Sequence, residues 1–144
     1  MKVNNVRRVA IIGGNRIPFA RSNTAYSEAS NQDMLTAALN GLIERYKLQG
    51  ERIGEVVAGA VIKHSRDFNL TRECVLSTAL APETTCYDIQ QACGTGLEAA
   101  ILVANKIALG QIESGIAGGS DTTSDAPIGV SEGRRRILLE INRA

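Results

Sequence analysis

Eight residues, Glu55-Val56-Val57-Ala58-Gly59-Ala60-Val61-Ile62, constrain the fold of this chain more than any other stretch. After Glu55 they carry no polar side chain, and four of them are β-branched, so both alternating sets of side chains are apolar. A strand of this kind buries both faces, and it needs a layer of helices on each side to do so. Val6 to Gly13 ends in a similar run, Val9-Ala10-Ile11-Ile12, broken by Gly13-Gly14, and predicts another two-faced strand. Thr84 to Gln90 and Ser114 to Gly119 read as a third and a fourth strand.

Helical periodicity fills the intervals. Ser30 with Asp33 three residues on forms a capping-box pattern, and Leu35, Ala38, Leu39, Leu42, Ile43 and Tyr46 keep one apolar face up to a turn near Gly50. Asn69 is placed to cap a helix through Leu80, ended by Pro82, with Leu70, Cys74, Val75 and Ala79 on one stripe. Leu97 to Leu109 is polar only at Glu98, Asn105 and Lys106, which predicts the most enclosed helix of the chain. From Gly14 to Ala29 no period exists and Pro18 interrupts the run, as in a long loop that lines a site or an interface. Strand and helix thus alternate three times before a last strand, the order of an α/β fold with a mostly parallel sheet and right-handed crossovers. Gly129 to Ala144 departs from this order. There Arg134-Arg135-Arg136, read as a solvated face, precedes Ile137, Leu138, Leu139 and Ile141 in an amphipathic pattern.

A chain of 144 residues is expected to form one domain. With 44% hydrophobic and 22% charged residues it can bury a sizeable core, which excludes a disordered chain. Aromatics at 3%, without Trp, supply few stacking platforms for bases, and a net charge of +1 creates no field for phosphate polymers or anionic lipid. Nucleic acid is not an expected partner. The apolar run near the N-terminus is too short for a signal core or a membrane span, and the expected compartment is the cytoplasm. Cys74, Cys86 and Cys93 are odd in number and lack metal-ligand spacing, so they read as reduced thiols with no metal site.

Cys93 stands where a strand meets a helix, in Gln90-Gln91-Ala92-Cys93-Gly94-Thr95-Gly96-Leu97. Unpaired N–H groups and the positive end of a helix dipole favour a thiolate and any oxyanion that develops beside it, which suits acyl transfer. Gly94 and Gly96 are expected to relieve a strained turn and to let a substrate approach the backbone. The competing reading makes Cys93 one more buried small residue. Cys74 and Cys86 fall in a helix stripe and a strand and read as core. His64, the one histidine, lies among Lys63, Ser65, Arg66 and Asp67 and reads as solvated rather than as a general base. Gly13-Gly14 does not continue as a dinucleotide fingerprint, and neither Gly94-x-Gly96 nor Gly118-Gly119 completes one.

The run from Gln90 to Ala100, followed by Ala117-Gly118-Gly119-Ser120-Asp121 and Ala126-Pro127, resembles the nucleophile helix and next strand of the thiolases. Arg16-x-Pro18-Phe19, Glu55-Val56-Val57-x-Gly59-x-Val61, Asn69 and Arg72 agree with the N-terminal half of that family in order and spacing. The Gln-Gln-Ala-Cys-Gly-Thr-Gly form is most similar to the branch found in fatty-acid β-oxidation complexes. Gln90 and Thr95 depart from the family, where Asn and Ser are frequent, and this leaves side-chain hydrogen bonding around the turn open.

The resemblance implies a thiolase-like layered α/β fold: an incomplete N-terminal domain over residues 1–128, with a mostly parallel mixed sheet flanked by helices, and the start of a covering loop domain over 129–144. It implies an acyltransferase in which Cys93 attacks the keto carbon of a 3-ketoacyl-CoA, carries the acyl group as a thioester and passes it to CoA, or runs the reverse Claisen condensation. The Cys93 N–H is then a donor to the oxyanion. Coenzyme A and acyl-CoA are substrates, and no covalently bound cofactor is expected. The family's activating histidine and second cysteine have no counterpart here, so the chain is expected to lack turnover alone. A homo-oligomer, dimer or tetramer, is expected through Thr84 to Gln90, together with a β-oxidation complex partner and an apolar, association-prone surface. The alternatives are part of a ketoacyl-synthase or hydroxymethylglutaryl-CoA-synthase type of condensing enzyme, or a non-catalytic module of the same fold.

Overall fold

The computed structural model describes residues 6–143. In chain order the elements are α1 (Asn31–Tyr46), β1 (Glu55–Ala58), a 3₁₀ turn (Ser65–Asp67), α2 (Leu70–Leu76), β2 (Cys86–Asp88), α3 (Thr95–Ala108), β3 (Gly115–Ala117) and α4 (Glu132–Arg143). The three strands form one parallel sheet in the order β2-β1-β3, with Val57 opposite Tyr87 on one side and Ala117 on the other. β1 is the central strand, as its sequence requires, but it ends at Ala58 rather than Ile62, and Val61 is exposed.

Successive β1 side chains point to opposite layers. Val56 packs with Ile43, Ile53, Val75 and Leu80 on the α1–α2 side, and Val57 packs with Ala99 and Val103 of α3 on the other. Both valines are fully buried, and each such side chain contributes about 1.5–3 kcal/mol of transfer free energy. Glu55 opens the strand on the α3 side. Its buried carboxylate pairs with Lys106, whose ammonium lies 5.1 Å from the centre of the Tyr87 ring. That hydrogen bond to Glu55 holds the Lys106 pKa above its ordinary value.

Helix α1 starts as expected: Ser30 Oγ accepts from the Asp33 N–H at 3.1 Å, and Asp33 accepts from the Ser30 N–H at 2.9 Å. It ends on Lys47 in the left-handed region. Helix α2 starts differently, because the Asn69 side chain makes no capping bond. Asp88, at the end of β2, accepts instead from the N–H groups of Leu70 (3.1 Å) and Thr71 (2.7 Å) and pairs with Lys63 at 3.1 Å. A carboxylate from the sheet therefore satisfies donors that a local cap would take. The helix is also shorter than its apolar stripe, closing at Leu76, where the Ser77 hydroxyl donates to the Glu73 carbonyl.

Two further expectations fail. Residues 6–13 form no strand, and Ile11 and Ile12 are 92% and 87% exposed. A two-faced strand is stable only beside a partner strand and under cover on both sides. Among the described residues neither is present at this segment, which is held by the helices: the Arg7 N–H donates to the Ala108 carbonyl, and the Asn15 amide donates to that of Ala38. Helix α3 is not enclosed. It buries Thr95, Ala99 and Val103 against the sheet and leaves Leu97 (70%) and Ile101 (44%) exposed, because a single layer covers it. The loop over 14–29 is a loop, as its sequence predicts, and α4 buries no side chain.

Asp88→Ala is expected to lower the unfolding free energy by about 2 kcal/mol in urea titrations, the cost of unpairing donors from a charged acceptor. Asn69→Ala should stay within about 0.5 kcal/mol of the parent. Equal losses would show that α2 is capped locally.

Candidate functional site

The carboxyl ends of the three strands open onto one groove of about 460 Å³. β1 leads to α2 on one face of the sheet and β2 leads to α3 on the other, so their loops diverge and leave a crevice between them. Val61 and Ile62 line it from β1, Cys93 and Gly96 from the β2–α3 turn, and Ser120 and Asp121 from the segment after β3. Close backbone approach makes this convergence depend on glycine. A Cβ at Gly59 would strike the Ile89 carbonyl oxygen, and one at Gly119 would come within 2.7 Å of the Gly59 carbonyl oxygen.

Cys93 is exposed in this groove, two residues ahead of α3, which overturns its reading as a buried small residue. Gly94 caps α3 without a side-chain bond, and the Thr95 N–H donates to the Ala92 carbonyl, so Cys93 stands just before the positive end of the helix dipole. The strain in the turn sits elsewhere than the sequence implies. Gly94 has an ordinary φ of −85°, whereas Ala92 has φ +46°, in the left-handed region that disfavours a side chain. Gly96 instead leaves open space, where a Cβ would meet nothing within 4 Å.

Thr95 holds Ala92 in place. Its buried hydroxyl donates to the Ala92 carbonyl at 2.8 Å and accepts from the Gln91 N–H at 2.9 Å, while the Gly94 N–H donates to the Gln91 carbonyl at 2.9 Å. These bonds answer the question that Thr95 leaves open in the sequence. A hydroxyl at the first helical residue after a strand-to-helix turn is the signal from which this role can be read.

The other titratable candidates lie apart from Cys93. Cys74 is fully buried between α1 and α2, and burial pushes its thiol up to about 11. Cys86 is half-buried, 3.8 Å from the Arg72 guanidinium, which itself donates to the carbonyls of Pro82 and Thr84. His64 does not line the groove. Nor is it simply solvated: Nε2 lies 2.9 Å from the Asp125 carbonyl oxygen and 3.2 Å from its carboxylate, which also binds Arg66. Asp121 has both oxygens engaged, accepting from the N–H groups of Val61 and Ile62. A second groove, of about 710 Å³, runs between the 15–22 loop and residues 119–124 over Met34 and Ala38.

A parallel sheet between helical layers, with an exposed thiol at the carboxyl end of a strand and the start of a helix, defines a three-layer α/β protein of the cysteine-bearing kind. Residues 9–143 match the family model described as thiolase, N-terminal domain, and the chain belongs to that family. It is 39% identical over 145 aligned residues to a 3-ketoacyl-CoA thiolase of Shewanella frigidimarina and to one of Shewanella oneidensis, in each case over 99% of this chain and 33% of the relative. The crystal structure of the Bacillus anthracis acetyl-CoA acetyltransferase superposes with a TM-score of 0.83 and 25% identity, over 91% of this chain and 33% of that one. The chain thus spans about a third of the length of the relatives it matches.

Thr95→Val, which keeps shape and removes both hydroxyl bonds, is expected to destabilise the fold by about 2 kcal/mol. Thr95→Ser, which keeps the bonds and loses a methyl group, should cost about 1 kcal/mol. Thermal unfolding of the two variants checks the order, and a reversed order would remove Thr95 from the turn.

Proposed function

We propose that this chain is the part of an acyl-CoA acyltransferase that carries the nucleophile, and that Cys93 is that nucleophile. The observation supporting the reading is the exposed Cys93 thiol at the start of α3, in a groove at a switch point of a thiolase-family sheet. In the breakdown direction the Cys93 thiolate adds to the C3 carbonyl of a 3-ketoacyl-CoA. The tetrahedral oxyanion collapses, the C2–C3 bond breaks, and its electron pair remains on C2, which takes up a proton and leaves as acetyl-CoA. The acyl group stays on Sγ as a thioester until the thiolate of a second CoA displaces it. The oxyanion is met by the Cys93 N–H at the helix terminus, where developing negative charge is favoured.

The proton transfers need a base and an acid that the groove does not supply. Among its described lining residues there is no histidine and no second cysteine, and the Asp121 carboxylate is occupied by two backbone donors. In this reading both groups come from the remainder of the protein, so residues 1–144 accept an acyl group without completing a cycle. Residues 1–128 form the N-terminal α/β unit and 129–144 begin a covering segment, in keeping with α4, which buries no side chain.

The finer assignments follow from the same reading: a β-oxidation role with its complex partner, CoA as the second substrate, and a cytoplasmic location, where the three free thiols persist. No described helix is long and apolar enough to cross a membrane. A homodimer forms through Thr84 to Gln90, since β2 is an edge strand of the described sheet and offers unpaired backbone groups to a second copy.

Incubation with acetyl-CoA followed by peptide mapping is expected to place the acyl group on Cys93 alone and to find none in Cys93→Ala. Cys74 serves as the internal reference, because with a pKa of about 11 only about a thousandth of it is thiolate at pH 8. Acylation spread equally over the three cysteines would remove the assignment. Sustained thiolysis of acetoacetyl-CoA by this chain alone would refute the division of labour, and a monomer in light scattering would refute the dimer.

A further inference from the structure

The hydrogen-bond ladder between β1 and β3 continues past the strands, with Gly118 N–H donating to the Val57 carbonyl and Ser120 N–H to that of Gly59, both at 3.0 Å. It stops where the chain after β1 turns away. At that point the Asp121 carboxylate takes over from the backbone. It accepts from the Val61 N–H with both oxygens (3.0 and 2.9 Å) and from the Ile62 N–H at 2.8 Å. The same turn is gripped from its other side: Asn31, 1% exposed at the start of α1, donates from Nδ2 to the Ile62 carbonyl at 2.6 Å. A few residues on, Asp125 binds the His64 ring and the Arg66 guanidinium, so the segment after β3 is tied twice to the segment after β1.

Of these ties, the one made by Asp121 bears on the Cys93 groove, because both of its ends line it. Val61 and Ile62 line it on one side, opposite Cys93 and Gly96, and Asp121 lines it at the end of the ladder. Neither Val61 nor Ile62 belongs to a helix or strand, so no repeating ladder fixes their backbone. Their position rests on one carboxylate and one buried amide, and bonds from backbone N–H to a charged acceptor are the stronger kind.

We infer that Asp121 is a positioning residue for the Cys93 site: by fixing the Val61–Ile62 turn, with Asn31 gripping the far side, it sets the width of the groove and hence the bulk of the acyl group that reaches Sγ. The role assigned to Asp121 is one of position, carried by the bonds that both of its oxygens accept from the two N–H groups. Its meaning for substrate choice rests on the proposed role of Cys93, but the width of the groove does not, and the test separates the two.

The test is alkylation of Cys93 in the protein by a small reagent, iodoacetamide, and a bulky one, N-phenylmaleimide, in the parent, Asp121→Ala and Asp121→Asn. Cys74 labelling is followed as a monitor of the whole fold, and amide exchange is followed at Val61 and Ile62. In Asp121→Ala the two amides should exchange about tenfold faster or more, as expected for loss of a charged acceptor. The bulky-to-small rate ratio at Cys93 should rise several-fold while Cys74 stays unlabelled. Asp121→Asn keeps one acceptor oxygen and should fall between the parent and Asp121→Ala. An unchanged ratio despite faster exchange would overturn the inference, since the turn would then not be the wall that matters. So would a ratio that changes only in step with Cys74 labelling, which would mark a general loosening of the fold. Alkylation reports the groove whether or not Cys93 accepts an acyl group from acetyl-CoA, so failure here and failure of the acyl-transfer reading give different results.

Discussion

Two neighbouring valines, Val56 and Val57, support the rest of the architecture. They sit on a central strand of four residues, point to opposite faces and are both fully buried. One face brings in α1 and α2, and the other brings in α3. Because the strand is parallel to both neighbours, every chain segment leaves the sheet at the same end, and the loops carrying Val61, Cys93 and Asp121 are gathered there. The site is thus a consequence of burying a two-faced strand, and its chemistry comes from what the three loops bring to one place.

The carboxyl end of the sheet is organised by side chains acting at long range. Asp88 caps α2 from β2, Asp121 accepts from the Val61 and Ile62 N–H groups beyond the end of β1, and Asn31 holds the Ile62 carbonyl from α1. Each takes backbone groups that the regular elements leave without partners, the groups most costly to bury unpaired. Thr95 does the same within the Cys93 turn and thereby maintains the left-handed Ala92. In the role proposed for Cys93, fixed loops around its exposed thiol set the orientation of the group before a substrate arrives.

Much of this arrangement is legible in the amino-acid sequence. The capping box at Ser30, the two-faced run at Glu55, the strand-to-helix turn at Cys93 and the buried Cys74 follow from short-range patterns, and short-range patterns report local geometry well. The misreadings of burial share a different cause. Ile11 and Ile12 have the composition of a buried strand, and Leu97 and Ile101 that of a buried helix, yet all four are exposed. Apolar composition states what a segment gains from cover, whereas burial requires that another layer be present to provide it.

The alternation of elements from α1 to β3, the two-sided burial of β1, the start of α1 and the place of Cys93 between a strand and a helix are set by the order of residues alone, because each depends on side-chain periodicity or on neighbours within a few positions. Which carboxylate meets which backbone donor is not set in that way. Asp88 and Leu70 are 18 positions apart, and Asp121 and Val61 are 60 apart. Nor does the local pattern dictate that Ala92, rather than a neighbouring glycine, takes the positive φ. Those outcomes belong to the folded arrangement, since a hydrogen bond between distant residues exists only once the sheet has fixed the distance and direction between them.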